Sequence, residues 1–585
     1  MAESTFDVFV LGATPGGIMA AVAAARLGRT VALIERTAHI GGLPANGLGA
    51  TDIGTRGATG GLFLEFVNRV RAHYVGKHGE NSPQVRDCSG GYHFEASVAE
   101  GVFEAMLKEQ PKVSVLRLRQ FDADKANVTL KDNAPVGVKV VNIDTQHEER
   151  YAAKVFVDAT YEGDLAAACG AKFRTRREGR DEYKEIGAGK IYKRWGGPVC
   201  EGSTYEGDDV IQAYNYRVCL TDRPDNRLAV EKPATYDRAE FASLVDDVKL
   251  DRRTGGVGGE MDYKGIGRIV NMVRLPNGKT DSNNQHLAFL STDLPEENYP
   301  WPTADWAWRD KFARRLRDYT LGLIWFAQND PELPEAFRQA CQRWGLAKDE
   351  YADNGNFPRQ AYVREGRRIE GEHLFTANDA QPPNPGGRPP VFADSVTASH
   401  YALDSHAVRK REPGRCHLDG FLSFPTAPYT VPYGVIVPKA IEQLLTPVPV
   451  SGTHIGFSTL RMEPCWMALG QAAGTAAALA VEQEVTVRKL DRGQLQRALL
   501  KQKAILIYYR DLKADHPQYE AIQYLGLRGA APGWTLGADG PVSEADAKAL
   551  AEKVGVAAAP WRDGMTRVQY FEALYAAVVK AAGGK

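Results

Sequence analysis

The chain has 585 residues, enough for about two or three separately packed cores, and its 25% charged and 43% apolar residues are an ordinary globular composition. With 72 Lys and Arg against 73 Asp and Glu, the net charge of -1 gives no general basic surface for nucleic acid or an anionic membrane. No stretch of about 18 apolar residues is present to span a bilayer. The seven cysteines (88, 169, 200, 219, 341, 416 and 465) include no CxxC pair, and their odd number argues against a complete disulfide scaffold. The first strand starts near Phe6, leaving no room for an export signal, so a cytoplasmic address is expected, with export after signal removal as the alternative.

Residues Phe6 to Leu11 (FDVFVL) read as a short buried strand. The turn Gly12-Ala13-Thr14-Pro15-Gly16-Gly17 follows and feeds an alanine-rich helix, whose N-terminal amides suit a pyrophosphate. Gly12 permits the sharp bend and Gly17 close helix–strand packing, while Thr14 puts a hydroxyl where a middle glycine is commoner. A second strand, Thr30 to Ile34, delivers Glu35 about 20 residues past the turn, the place for a carboxylate that accepts from adenosine ribose hydroxyls. Arg36 stands beside it. Gly41-Gly42-Leu43 opens a glycine-rich loop suited to close contact with the same ligand.

Helical periodicity covers 60–74 and 97–108, and residues 111–157 are strand-rich. They end in a buried strand, Lys154 to Asp158, that turns into the small-residue helix Leu165 to Cys169. Asp158 serves either the ligand or as a helix cap. Residues 200–390 are rich in Arg, Asp, Trp, Tyr and Pro, include a helix at Trp306 to Ala327, and read as an inserted α+β substrate domain. A second glycine- and alanine-rich helix, Met467 to Ala480, contains Gly470, Gly474 and Thr475. The expectation is an α/β protein: a Rossmann-like dinucleotide-binding domain in two parts, 1–199 and 391–502, around the insertion, with a small helical module at 503–585.

These motifs together resemble the FAD-dependent oxidoreductase family within the glutathione-reductase-like flavoproteins. The likeness runs from residue 6 to about 500 through the Gly12 to Gly17 turn, Glu35, Gly41-Gly42 and Val157-Asp-Ala-Thr-Tyr-Glu-Gly-Asp164. It continues through Leu275 to Asn284, Tyr362 to Arg368, Tyr401 with Asp404-Ser-His406, Tyr429 to Tyr433, and Ala468 to Gly474. It implies extended FAD, with Gly12, Gly16 and Gly17 near pyrophosphate, Glu35 at ribose and the region of Gly470 to Thr475 near the isoalloxazine. Asp511 to Gly529 faintly resembles an S-layer homology module.

A flavin supplies the redox chemistry, so the protein must position a substrate and handle its proton. The reading is oxidation of a polar organic substrate, hydroxylated or sugar-like, by hydride transfer to flavin N5, as a dehydrogenase or oxidase with an unspecified electron acceptor. His406 is the first candidate for the base, with His400, His454 and His93 in reserve. Arg364, Arg367 and Arg368 suit a substrate oxyanion or carboxylate, or salt bridges to Glu365 and Glu370; Arg364 and Arg368 share a face if the segment is helical. Arg461 precedes the second glycine helix and is a further candidate. Cys465 and His39 are possible flavin attachment points with simpler structural explanations. A flavin reductase or C=C dehydrogenase, using Tyr or Arg on the proton, is the second reading. An FAD-binding structural or RNA-associated protein without turnover is the third. No GxSxG elbow supports a hydrolase, and no metal site is expected.

Overall fold

In this computed structural model, residues 4–254, 261–556 and 560–583 are described. The apolar run at the N-terminus forms β1 (Ser4–Leu11), whose last four residues are buried, and the Gly-rich turn leads into α1 (Pro15–Arg26) and then β2 (Val31–Ile34). Further strands are β3 (Val113–Leu116), β4 (Arg119–Gln120), β5 (Val128–Lys131), β6 (Ala134–Asn142) and β7 (Glu148–Asp158). They build an eight-stranded sheet in the order β3-β2-β1-β7-β6-β4, with β5 added to β6 and the short strand Leu444–Leu445 added to β7. β1, β2, β3, β7 and Leu444–Leu445 pair in parallel, with Val10 opposite both Leu33 and Val157. The β4–β6 and β6–β7 pairings are antiparallel. This parallel unit brings the C-terminal ends of β1, β2 and β7 to one edge, where an open α/β sheet binds its ligand.

The helix expected from Met467 to Ala480 runs from Glu463 to Gln483 and packs along α1. Small residues set this approach: a Cβ on Gly470 would stand 2.0 Å from the Gly16 carbonyl oxygen, and one on Gly474 2.0 Å from that of Ala20. Gly470 and Gly474, expected near the flavin ring, are what lets the two helices approach this closely. The Thr475 hydroxyl meets Gln502, whose Nε2 donates to it at 3.2 Å.

Between residues 218 and 347 a separate antiparallel sheet forms from Val218–Thr221, Arg227–Leu228, Val270–Arg274, Lys279–Asn284 and Gly345–Ala347. The long helix Trp306–Asn329 lies beside it, N-capped by Asp305, whose side chain accepts from Trp308 N. At the C-terminal end, helices Tyr519–Gly526, Glu544–Lys553 and Arg567–Gly583 join a hydrophobic cluster that also contains α1 and the Glu463–Gln483 helix. Cys200 and Cys416 form a disulfide across 216 residues of sequence, and the free cysteines among the described residues are buried. No described helix is long and apolar enough to cross a membrane.

Candidate active site

At the parallel sheet edge a cleft of about 150 Å³ is lined by Gly12, Thr14, Glu35, Arg36, Gly42 and Asn46 together with Thr160 to Glu162, Trp301 and Trp306. Gly12 has φ 95°, and a Cβ there would meet the Ala159 carbonyl oxygen at 2.9 Å; on Gly17 it would lie 1.9 Å from the oxygen of Gly12. Only glycine lets the turn, strand and helix approach this closely. Pro15 occupies the first turn of α1, where a missing N–H costs nothing. Thr14 caps α1: its hydroxyl accepts from Gly17 N at 3.2 Å and donates to Ala159 O at 2.8 Å. The side chain in the middle glycine position thus faces protein partners and ties α1 to the end of β7.

Glu35 is half-buried at the end of β2, with Oε2 accepting from Ala13 N at 3.1 Å and Oε1 from Thr37 N at 2.9 Å. Burial pushes its carboxyl above the ordinary range, against these hydrogen bonds. Arg36 turns to the other wall: its guanidinium stacks 4.1 Å from the Trp306 ring and bonds Asp310 at 2.7 Å and Gln120 at 3.1 Å. It fastens the long helix to the nucleotide sheet. Gly41 packs under Phe103, and Gly42, at φ 50°, lies under the Tyr161 hydroxyl. That hydroxyl accepts from Leu43 N at 3.1 Å and donates to Glu463 at 2.6 Å. Burial pushes Glu463 up to about 8, so the first turn of its helix carries a neutral carboxyl at neutral pH.

Asp158, expected either at the ligand or as a helix cap, places both carboxylate oxygens on the turn and on the first turn of the helix that follows. Its Oδ2 accepts from Ala166 N at 2.8 Å and its Oδ1 from the Thr160 amide and hydroxyl, leaving it directed at the turn rather than the cleft. Beside it, Glu162 lines the cleft, accepts from Trp301 Nε1 at 3.2 Å and is pushed up to about 7 by burial. Burial works in the same direction on Asp164, but Arg309 (2.6 and 2.8 Å) and Arg367 (2.6 Å) hold it below the ordinary carboxylate range.

A second group of polar side chains is buried next to this cleft. Ala361 and Val363 line the cleft, whereas Tyr362 and Arg364 enter the cluster. Three guanidinium groups approach the Tyr362 ring, Arg364 at 4.7 Å, Arg461 at 5.7 Å and Arg217 at 5.8 Å, and its hydroxyl accepts from Arg461 at 2.7 Å. Arg461 also donates to the Asp404 carbonyl at 2.8 Å, and Arg364 pairs with Asp293 at 2.9 Å. His406 is 4% exposed; Nδ1 is 2.8 Å from Asp293, and Nε2 is 3.7 Å from Asp404. Burial and the Arg364 charge hold its pKa below the usual histidine value, opposed by Asp293 and Asp404.

The structure therefore brings His406, Arg364 and Arg461 together. Arg364 and Arg368 do not share a helix face, because residues 361–367 are irregular and Arg368–Ile369 is a strand. Arg368 instead reaches Glu365 at 2.8 Å and Glu178 at 3.1 Å, and Arg367 reaches Asp164. The reserve histidines have separate partners: His454 bonds Glu365 and Ser405, His400 bonds Thr55, and His93 bonds the Arg274 carbonyl. Asp293, Trp301 and Trp306 were not legible in the sequence as members of these sites. Tyr362 and Asp404 lay inside the motifs that carried the family likeness.

No curated protein matches the chain. Among solved structures it is similar to the FAD-dependent chondrochloren halogenase CndH, of myxobacterial origin, at 13% identity, 54% of this chain, 60% of that one and a TM-score of 0.24. It is also similar to a glycerol-3-phosphate dehydrogenase from Bacillus halodurans complexed with FAD (12% identity, 30% of this chain, 38% of that one, TM-score 0.21). A third is the anhydrotetracycline hydroxylase OxyS from Streptomyces rimosus (14%, 29%, 35% and 0.20 in the same order). These alignments span less than two thirds of each structure and add nothing to the fold seen directly. The sequence profile of the FAD dependent oxidoreductases, by contrast, matches residues 7–499, from β1 to the helix after Asp491. The chain belongs to the FAD dependent oxidoreductase family.

Proposed function

We propose that this FAD-dependent oxidoreductase oxidises a polar organic substrate, hydroxylated or sugar-like, at the His406 cluster buried beside the cleft. The observation that carries the reading is the run from Arg359 to Arg364: it lines the cleft through Ala361 and Val363 and supplies Tyr362 and Arg364 to the buried cluster. Bound FAD would accept the hydride, and with it both electrons. A neutral His406 takes the hydroxyl proton at Nε2 as the carbonyl forms. Arg461 and the Tyr362 hydroxyl hold the oxygen from which that proton leaves. The low pKa of His406 keeps it unprotonated at neutral pH and so competent as a base.

The test is the visible spectrum of the purified protein, followed by anaerobic addition of alcohols, sugars and amines. Bleaching by hydroxylated compounds supports the reading; bleaching by amines alone, or by none, overturns it. Acid precipitation in the same preparation is expected to release FAD into the supernatant. Cys465 is buried with its thiol pushed up to about 12, and the His39 ring is held by Glu100 at 2.7 Å and Asp353 at 3.0 Å. Yellow colour retained by the precipitate would show a covalent bond.

At the other end of the cofactor, Glu35 is proposed to accept from the adenosine ribose. Glu35→Ala is expected to weaken FAD binding by roughly 10- to 100-fold, the value of a hydrogen bond to a charged group. Equilibrium titration of apoprotein with FAD reads this, and unchanged affinity removes Glu35 from the site. The Cys200–Cys416 bond supports the exported alternative for location, since such bonds persist in oxidising compartments.

A further inference from the structure

We propose that Asp293 is the positioning residue for His406: it fixes the Nδ1–H tautomer, presents Nε2 to the substrate hydroxyl and stabilises the imidazolium formed when the proton arrives. The inference rests on His406 being the base and assigns a role to a residue of the polar segment between the strand Lys279–Asn284 and the helix Trp306–Asn329.

The geometry divides the Asp293 carboxylate between two partners. Oδ1 lies 2.9 Å from Arg364 Nη1 and Oδ2 lies 2.8 Å from His406 Nδ1, all three side chains being buried. A carboxylate accepts and does not donate, so the hydrogen on this contact belongs to the imidazole and sits on Nδ1. The other nitrogen then carries the lone pair. Its approach to Asp404 Oδ1, 3.7 Å, is too long for a hydrogen bond, so that contact does not hold Nε2. The ring plane is fixed by packing, with Phe421 5.3 Å away, and the backbone by Gln212, whose Oε1 accepts from His406 N at 3.2 Å.

The charges around the ring divide. Asp293 and Asp404 favour the imidazolium, Arg364 opposes it, and Arg461 stands behind Asp404 at 3.4 Å. The phenol of Tyr362 faces the same cluster, and Phe421 separates His406 from His417. Although burial works to raise it, Asp293 is held below the ordinary carboxylate range by Arg364 and His406, and so remains an anion. When the substrate O–H proton moves to Nε2, the imidazole gains one positive charge next to that anion, and the C–H hydride would leave for the flavin. The proton count closes on His406, and the electron pair leaves with the hydride.

Removing the negative charge should therefore make His406 a weaker base, and removing its guanidinium partner a stronger one. In holoenzyme labelled with [15N]histidine, the His406 resonance, assigned through H406Q, is expected to show a protonated Nδ1 and a bare Nε2 near neutral pH. In D293N its pKa is expected to fall, and in R364Q to rise. The rate of flavin reduction by the hydroxylated compound that bleaches the wild type should drop about 10- to 100-fold in D293N. Its acid limb should move to lower pH in D293N and to higher pH in R364Q, because the rate is lost as the base becomes protonated.

A protonated Nε2 in the wild type overturns the proposal. So does a D293N protein with unchanged histidine pKa and unchanged pH profile when H406Q has lost flavin reduction. If D293N does not fold, the wild-type tautomer and the R364Q shift decide. If H406Q is reduced at the wild-type rate, the base assignment itself fails, and Asp293 falls with it.

Discussion

A His406→Gln variant is expected to bind FAD with wild-type affinity and spectrum while flavin reduction by a hydroxylated substrate slows by about 10²- to 10⁴-fold, the usual size of a lost general base. Retention of FAD follows from placement. His406 touches Asp293, Phe421 and Gln212, whereas the nucleotide cleft is lined by other residues. Glutamine can still bond Asp293, so the buried carboxylate keeps a partner, but it cannot take a proton at neutral pH. Stopped-flow reduction under anaerobic conditions reads the effect. An unchanged rate removes His406 from the chemistry, and loss of FAD makes its role structural. Tyr362→Phe provides the comparison, since it removes only the hydroxyl that accepts from Arg461. A large loss in Y362F with none in H406Q moves proton handling to the tyrosine and favours the reductase or C=C dehydrogenase reading.

The parts of this molecule that could be read from sequence are those in which a local pattern determines the geometry. Strand, glycine turn, small-residue helix and acid-bearing strand follow each other within the first 35 residues, and each step limits the next. The Asp158 contacts are equally local, since its carboxylate accepts from Thr160 and Ala166, although the sequence alone did not decide between cap and ligand. By contrast, the sequence left open whether the Arg364 to Arg368 segment is helical with a shared arginine face, and it is irregular up to the short strand Arg368–Ile369. Its Gly366 lies where a Cβ would meet the Tyr161 carbonyl oxygen at 2.2 Å, and its arginines reach partners on different segments. Two arginines at i,i+4 repel rather than support a helix, and buried ion pairing with close backbone contact sets this segment instead. Asp293 and His406 are 113 residues apart, and Cys200 and Cys416 are 216 apart. No periodicity or spacing rule reaches across such distances. Trp301 and Trp306 stand far along the chain from the glycine turn, and their position against the cleft depends on how the intervening chain folds back.

Gly474→Val is expected to cost more than roughly 3 kcal/mol and to yield protein that is largely insoluble or free of FAD. The new Cβ would stand 2.0 Å from the Ala20 carbonyl oxygen, inside any real contact distance, and the obstacle is helix backbone rather than the end of a flexible side chain. Relief requires α1 and the Glu463–Gln483 helix to separate, and both are buried along their lengths. Their N-terminal ends carry the Gly12 to Gly17 turn on one side and Arg461 with Glu463 on the other. On the proposed function, a displacement of about 1 Å would therefore disturb the cofactor end and the chemical end together, and catalytic geometry tolerates little of that. Gly470→Ala, 2.0 Å from Gly16 O, tests the same seam one turn earlier with the smallest possible side chain. Gly76→Ala supplies the control of opposite sign: it lies in the helix Leu62–His78 with no atom within 4 Å of a new Cβ, and alanine there should stabilise by about 0.5–1 kcal/mol. FAD content and urea unfolding of the variants separate the cases. A Gly474→Val protein with full FAD and a wild-type midpoint would mean that the helices are farther apart than this packing requires.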